Sequence, residues 1–452
     1  MKSNEEFWQR YYNQSKVNDS DKFGRMFPFL PSAHKDTKKV RSALLELGKK
    51  KGIMDNDSKN LDNPKIPSGF TFFGQFIDHD ITFDPTSSLE HQNDPNTIEN
   101  FRTPVLELDS IYGGGPVASP HLYDITTGGI KLLIDKDFPN DVPRNSQNTA
   151  LMADPRNDEN LIISQLHLAF LKFHNAVVDQ VIANGITAPF QAFAEAQRLV
   201  RWHYQWIVLY EYLPLIVGKS VIKDILKNGR KFYKFKNKPY IPVEFAMAAF
   251  RIGHSQVRPV YKVNSQFTAP IFNSSQDQNH PDPDDLRGGK RAPRRFVEWS
   301  NFFNTESGVV QQGKKIDTTI SSPMFELPFV PDPKALPQRS LLRGLSFGLP
   351  SGQDIAKEMF IRPLLPVDLS DVADLGFDRK TPLWFYILRE AQIEKDGTRL
   401  GPVGGRIVAE VLIGLLQGDE QSFLRENPDW KPTLGKKGKF RMTDLLKIAG
   451  VL

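Results

Sequence analysis

Residues 69–85 read Gly-Phe-Thr-Phe-Phe-Gly-Gln-Phe-Ile-Asp-His-Asp-Ile-Thr-Phe-Asp-Pro. An aromatic run ends at Gly74-Gln75 and carries Asp78-His79-Asp80 into an otherwise apolar setting. Burying an imidazole between two carboxylates costs free energy unless each group is paired. The stretch therefore marks His79 as the acid/base of a buried site that the rest of the chain completes.

The 452 residues are long for one core, and such length usually means two or three domains. Helix-rich enzymes nonetheless reach this size as one unit. A hydrophobic fraction of 39%, with 32 Phe, supplies a large core, and 33 Pro with 31 Gly imply many breaks between elements. The formal charge of +5, from 58 basic against 53 acidic residues, is too small and scattered for a nucleic-acid partner. The absence of Cys excludes disulfides, thiolate ligands and Cys nucleophiles, and fits a reducing compartment. Residues 1–10 are polar and acidic and carry no secretory pattern. No apolar run approaches 18 residues, so no transmembrane helix is expected. The expectation is a soluble protein, cytoplasmic in preference to secreted without a classical signal. Its oligomeric state is not legible.

Working outward, Phe23 to Pro28 reads as an arm that packs its Phe side chains on the body, and residues 38–51 as a Lys-rich helix. Residues 55–67 and 85–100 read as loops. Between Phe101 and Gly113 acidic and apolar residues alternate. As a strand this would turn Thr103, Val105, Glu107 and Asp109 the same way. Such an all-oxygen set suits a hard cation, although spacing alone favours a half-exposed strand with acidic outward positions. Leu161, Ile162, Leu166, Phe170, Phe173, Val177 and Val181 recur at helical spacing. Asp154 or Asn157 can cap that helix, and Arg156 and Glu159 share its first face. His167 and His174 read as interface histidines. Further helices are expected over 193–218, 243–257, 382–394 and 402–425, with a turn at Leu341–Gly344 leading into another helix. Residues 262–295 read as a mobile loop at a site rim. Taken alone, His254 is an ordinary core histidine, although Ala246, Ala248, Ala249 and Gly253 would let a flat ligand approach it. The class is mainly α with few short strands.

The order of these segments resembles the animal haem peroxidase family, part of the peroxidase–cyclooxygenase superfamily. The segments are Gly74-Gln75-Phe76-Ile77-Asp78-His79-Asp80, Leu106–Gly113, Arg156-Asn157-Asp158-Glu159, His174-Asn175, Ala249-Phe250-Arg251-Ile252-Gly253-His254 and Arg343. The resemblance implies one large helical domain over residues 22–425, between an N-terminal extension (1–21) and a C-terminal tail (426–452). It implies haem b held by His254 and a distal set of Gln75, His79 and Arg156. It also implies ester links from Asp78 and Glu159 to haem methyls, and a propionate held by Arg343. Calcium would be bound by Asp80, Thr103, the Val105 carbonyl, Glu107 and Asp109. The implied reaction is reduction of hydrogen peroxide with oxidation of an organic donor or a halide, in keeping with a part in the response to oxidative stress. Ser340 stands where animal enzymes have an Asn bonded to the proximal His, Glu107 where they have Asp, and Asn160 where myeloperoxidase has a Met that forms a sulfonium link. Arg251 occupies the place of the oxygenases' radical Tyr, which counts against fatty-acid oxygenation unless Tyr210 or Tyr261 serves instead. A metal-dependent phosphohydrolase, imitated by His79-Asp80, lacks further ligands at its own spacing. A haem-binding protein without turnover would have no use for the distal trio.

Overall fold

Three apolar faces wrap the quoted stretch and turn it into a buried helix. In the computed structural model, which describes residues 22–452 apart from 85–88, 91, 96, 276, 278, 306–308 and 329, helix α1 spans Lys38–Leu47 and α2 spans Gly69–Ile81. The long helices are α3 (Leu161–Ala183), α4 (Pro189–Ile207), α5 (Leu336–Ser346), α6 (Leu383–Lys395) and α7 (Pro402–Gly418), with the short α8 (Met442–Ile448) near the end. Phe76 of α2 stacks on Phe170 of α3 at 4.6 Å, while Phe73 meets Tyr212 and Phe72 meets Tyr261 edge-on. These contacts bury α2 on most sides and place Asp78-His79-Asp80 inside the body. The extended residue Thr82 ends it.

Among the described residues strands are few and short: β1 (Asp62–Pro67), β2 (Tyr123–Asp124), β3 (Lys131–Leu132), β4 (Val260–Lys262), β5 (Thr268–Pro270) and β6 (Gln312–Lys314). They form three antiparallel pairs, β1 with β6, β2 with β3 and β4 with β5. The mainly α expectation holds. Helix α3 is long and apolar enough to cross a membrane by length and composition. Here 83% of its apolar window is buried against neighbours that include α2, α4 and α8, as in a helix that is hydrophobic all round within a core. The arm behaves as expected. Phe23, Met26 and Phe27 are buried, and the Glu244 carboxylate accepts from the Met26 and Phe27 N–H groups at 3.0 and 3.2 Å.

Several local expectations are corrected. Residues 62–67 pair as β1 rather than looping. Residues 101–113 form no strand but a series of bends closed by the four-residue helix Asp109–Tyr112, because Leu108 turns left-handed (φ 63°). Asn160, not Asp154 or Asn157, caps α3 by accepting from Ile163 N–H at 3.0 Å, while Asp154 caps the preceding 3-10 turn Pro155–Asp158. The helix expected over 193–218 does run through, but only by widening into a π-turn at Val208–Tyr212 just ahead of Pro214. The helix expected over 243–257 is broken. Phe245–Ala249 is a π-turn, and regular helix resumes only at Gly253–Gln256. Leu341–Gly344 lies within α5, and the turn comes later, at Gly348 (φ 59°). Within residues 262–295, Asp285, Leu286 and Arg287 are buried, and the Arg287 guanidinium donates to Asp285 and to the Asn273 and Asp277 carbonyls. The stretch 426–452 packs on the body, where Phe440 meets Phe173 at 5.9 Å and Met442 is fully buried.

Candidate active site

A cavity of about 420 Å³ lies between α2, the turn at 155–160 and the broken helix around residue 250. That size falls in the range of ordinary cofactor pockets. His79 and His254 both line it, as do Gln75, Asp78 and Glu159. Five residues singled out from sequence, from three well-separated segments of the chain, therefore share one space.

On the α2 side, the Nδ1 of His79 lies 2.8 Å from Asn157 Oδ1. Burial and the nearby Arg156 guanidinium lower its pKa to about 4, against the opposing pull of Asp78 and the Asn157 bond. The imidazole is thus neutral at neutral pH. Gln75 Nε2 donates to Glu159 Oε1, and Asn160 Nδ2 donates to Gln75 Oε1 at 3.4 Å. Burial pushes the Glu159 carboxyl up to about 7.

Arg156 is not on the cavity wall. Its Nη2 donates to the His79 and Thr82 carbonyls at 3.1 and 2.6 Å and to Asp154 Oδ2 at 2.8 Å, and its guanidinium lies over Phe83 at 4.7 Å. It stands behind His79 and fixes its backbone. Asp154 is fully buried, which alone would raise its carboxyl, yet Arg156 and Arg102 hold it below the usual carboxylate range.

On the opposite side, His254 Nδ1 lies 3.2 Å from Ser340 Oγ, so the ring can donate there and keep Nε2 for a ligand. Burial, then the Arg251 charge, lower its pKa to about 3, and the ring is neutral. Arg343 does not reach the cavity. It faces Asp84 at 3.7 Å, and burial together with Arg251 brings its pKa down to about 10. Arg251, Arg287 and Tyr212 also line the cavity; Arg287 was expected only within a loop at the site rim and Arg251 only in the place of the oxygenases' Tyr, and Tyr212 was given no role. For Arg251 the signal was present, since it lies three residues before His254 in the quoted motif. For Tyr212 there was none, because only the π-turn rotates it inward. Tyr210 is 44% exposed and packs at a tilt on Trp206, while Tyr261 is buried against Phe72, so neither proposed radical Tyr borders the cavity.

The residues fit a flat iron porphyrin. The site offers a neutral imidazole on each side. A Cβ added at Gly253 would meet nothing within 4 Å, so the wall there is open. Thr71 Oγ1 and Gln256 Nε2, both on the wall, are buried without a protein partner. The remaining wall includes the apolar Phe250, Met324, Leu327 and Leu336.

The acidic loop fits calcium only at one point. Asp80 is fully buried, its Oδ2 accepts from Leu108 N–H at 3.1 Å, and the Tyr204 hydroxyl lies beside the carboxyl without a well-formed hydrogen bond to Oδ1. Burial, Glu107 and Asp109 push its carboxyl up to about 7. Glu107 and Asp109, however, face Arg201 at 3.8 Å and Arg102 at 2.8 Å. Among the described residues no three acidic or histidine side chains gather around one point.

Comparison with known proteins agrees with this geometry. The profile described as "Animal haem peroxidase" matches residues 90–324, just over half of the chain. Heme peroxidase 2 of Caenorhabditis elegans is 26% identical over 269 residues, covering 46% of this chain and 37% of that protein. Chorion peroxidase of Drosophila melanogaster is 23% identical over 395 residues, covering 79% of this chain and 46% of that protein. The chain thus spans less than half the length of these curated relatives. Among solved structures, Peroxidase A from Dictyostelium discoideum superposes with a TM-score of 0.62 at 16% identity, covering 89% of this chain and 88% of that one. A fatty acid alpha-dioxygenase of Arabidopsis thaliana gives 0.62 at 15%, covering 96% and 76%. The fold, the cavity with its two neutral imidazoles and the matched profile lead to one assignment, and the chain belongs to the animal haem peroxidase family.

Proposed function

We propose that the cavity holds haem b between His254 and His79, and that the protein reduces hydrogen peroxide while oxidising an organic donor or a halide. The observation that carries this reading is the placement of two buried, neutral histidines on the walls of one cavity, each with Nδ1 next to a protein oxygen. His254 would hold the haem, which would supply the redox chemistry by which peroxide is reduced. The chain's own groups do the rest. Nε2 of His79 takes a proton from the incoming peroxide and returns it to the departing oxygen, which leaves as water. Arg156 holds the His79 backbone and its charge keeps the ring unprotonated beforehand. Gln75, anchored on Glu159, offers its amide at the same wall. Asp78 and Glu159 are the carboxyls for ester links. A cation at Asp80 would brace α2 beside His79, and its loading requires Glu107 to exchange Arg201 for the ion. The test is the ultraviolet–visible spectrum of the haem-loaded protein with and without peroxide, followed by a screen of phenolic, aromatic-amine and halide donors. A protein that shows no Soret band, or whose His254→Ala variant has an unchanged spectrum, does not support the reading.

A second reading is fatty-acid oxygenation. Tyr212 borders the cavity and supplies a candidate radical site that Arg251 does not. Oxygen uptake with an unsaturated fatty acid in the absence of peroxide separates the two, and Tyr212→Phe abolishes that uptake if the second reading is right.

A further inference from the structure

Behind His79 lies a buried chain that the proposed chemistry has not yet used. His79 Nδ1 sits 2.8 Å from Asn157 Oδ1, and Asn157 Nδ2 sits 3.1 Å from His167 Nδ1. His79, Asn157 and His167 are 5%, 0% and 1% exposed. A carboxamide is asymmetric, since its oxygen only accepts and its nitrogen only donates. With the oxygen toward His79, the proton on that ring sits at Nδ1. With the nitrogen toward His167, His167 Nδ1 carries the lone pair. A reversed amide would aim N–H at His79 Nδ1, push the proton to Nε2 and leave no base facing the cavity. In this orientation the His167 ring accepts from Nδ2. Burial lowers the His167 pKa to about 4, so its ring stays neutral and has one nitrogen lone pair to offer that amide.

We propose that Asn157, anchored by His167, is the positioning residue that fixes His79 as its Nδ1–H tautomer with the Nε2 lone pair directed into the cavity. This rests on the peroxidase reading of His79. The sequence neighbours make the role specific. Asn157 lies in the 3-10 turn between Arg156, which grips the His79 backbone, and Glu159, which holds Gln75. One turn thereby sets the position, the tautomer and the neighbouring amide of the base. An amide cannot pass a proton on at neutral pH, so the chain locks His79 rather than draining it. The proton taken from peroxide stays at the cavity, available for the departing oxygen.

The test uses the haem-loaded protein labelled with ¹⁵N-histidine in its diamagnetic ferrous carbonyl form, with His79 signals assigned by their loss in His79→Gln. Wild type should show the ring proton on Nδ1. Asn157→Leu, similar in size but without an acceptor, should move it to Nε2 and slow the second-order reaction with peroxide by about tenfold to a hundredfold, the usual range for a partner that orients an acting group. Asn157→Asp keeps an acceptor and should keep Nδ1–H. If Asn157→Leu fails to load haem, His167→Leu serves one bond further out and should give signals of both tautomers. A wild-type tautomer and rate in Asn157→Leu overturns the proposal, as does a lone Nδ1–H signal in His167→Leu or an Asn157→Asp variant whose proton moves to Nε2. His79→Gln with an undiminished peroxide rate would instead overturn the role of His79 itself, so the two failures are distinguishable.

Discussion

The two walls of the cavity are built by opposite strategies. The His79 wall is a regular helix backed by a polar lattice, in which His79, Asn157, His167, Gln75, Glu159, Arg156 and Asp154 are each tied to another member. The His254 wall is a helix that fails. It widens to a π-turn at Phe245–Ala249, breaks at Phe250–Ile252, and presents His254 with Ser340 Oγ beside its Nδ1 at 3.2 Å. π-Turns recur at functional sites, and this one is buried against α5, α6 and α7, with few hydrogen bonds around it, among them Arg251 Nε to the Ala246 carbonyl at 3.0 Å and Trp384 Nε1 to the Arg251 carbonyl at 3.3 Å. The comparison teaches that one wall is specified by charge and hydrogen bonds and the other by packing, with one hydroxyl left as the tuning element.

The largest effect is expected where the second wall has no substitute. His254→Ala should leave the cavity intact and abolish haem retention, read as loss of the Soret absorbance per protein after gel filtration. On the first wall, His79→Gln should keep haem but slow the reaction with peroxide by about 10²–10⁴-fold, the usual contribution of an acid/base group. Retained haem with an unchanged rate would mean that the polar lattice serves structure alone. The same wall predicts a pH profile. Because burial and Arg156 hold His79 near pKa 4 rather than 6.5, the ring stays deprotonated through the weakly acidic range. The peroxide rate should therefore persist to about pH 5 and fall as pH drops through about 4. A fall centred near 6.5 would show that the burial does not act on the base.

A smaller effect is expected at Ser340. An acceptor on His254 Nδ1 makes the imidazole a stronger donor to iron, and outer partners of this kind typically change affinity or activity by about 10–100-fold. A serine at 3.2 Å is a weak case, so Ser340→Ala should stay near the low end and raise the iron reduction potential. Ser340→Asn should lower the potential again if the longer amide reaches the ring. An unchanged potential in both would assign control to packing on the broken helix alone.

The sequence was readable where residue type determines chemistry. His79 was legible from a polar group set within an apolar run, whereas Gln75, Asp78, Glu159 and His254 took their places from the order of motifs in the family resemblance, and the structure gathers all five at one cavity. Helices α3, α6 and α7 were legible from apolar periodicity, whereas the aromatic run that became α2 was given no helical reading. Three-dimensional reach was not. Arg156 and Arg343 carry the expected charge but turn to Asp154 and Asp84, since long side chains find the nearest buried carboxylate. The alternation at 101–113 mimicked a strand because a bend series with acidic turns has the same period. Leu108 in a left-handed conformation and its bond to Asp80 are tertiary facts that no local pattern encodes. The π-turns were hidden for a similar reason, since their sequence keeps helical spacing while the backbone slips by one residue.

The smallest expected effect concerns Asp80, where the two strategies meet. It belongs to the polar wall, yet its Oδ1 has only the neighbouring Tyr204 hydroxyl and no well-formed hydrogen bond. Without a cation, its folded carboxyl titrates near 7 against about 3.9 in the unfolded chain. The folded state then binds the proton more tightly, so stability attributable to Asp80 is present at low pH and is lost as pH rises between about 4 and 7. Asp80→Asn removes that loss, and in a chelator at pH 8 the variant should melt at or slightly above wild type. Bound calcium reverses the order. The ion would supply the missing partner, wild type should gain roughly 1–3 °C on addition of the metal, and the Asn variant should gain nothing. If calcium leaves both melting curves in place, the guanidinium groups of Arg102 and Arg201 are the whole charge balance of the loop, and the polar wall is complete without a metal.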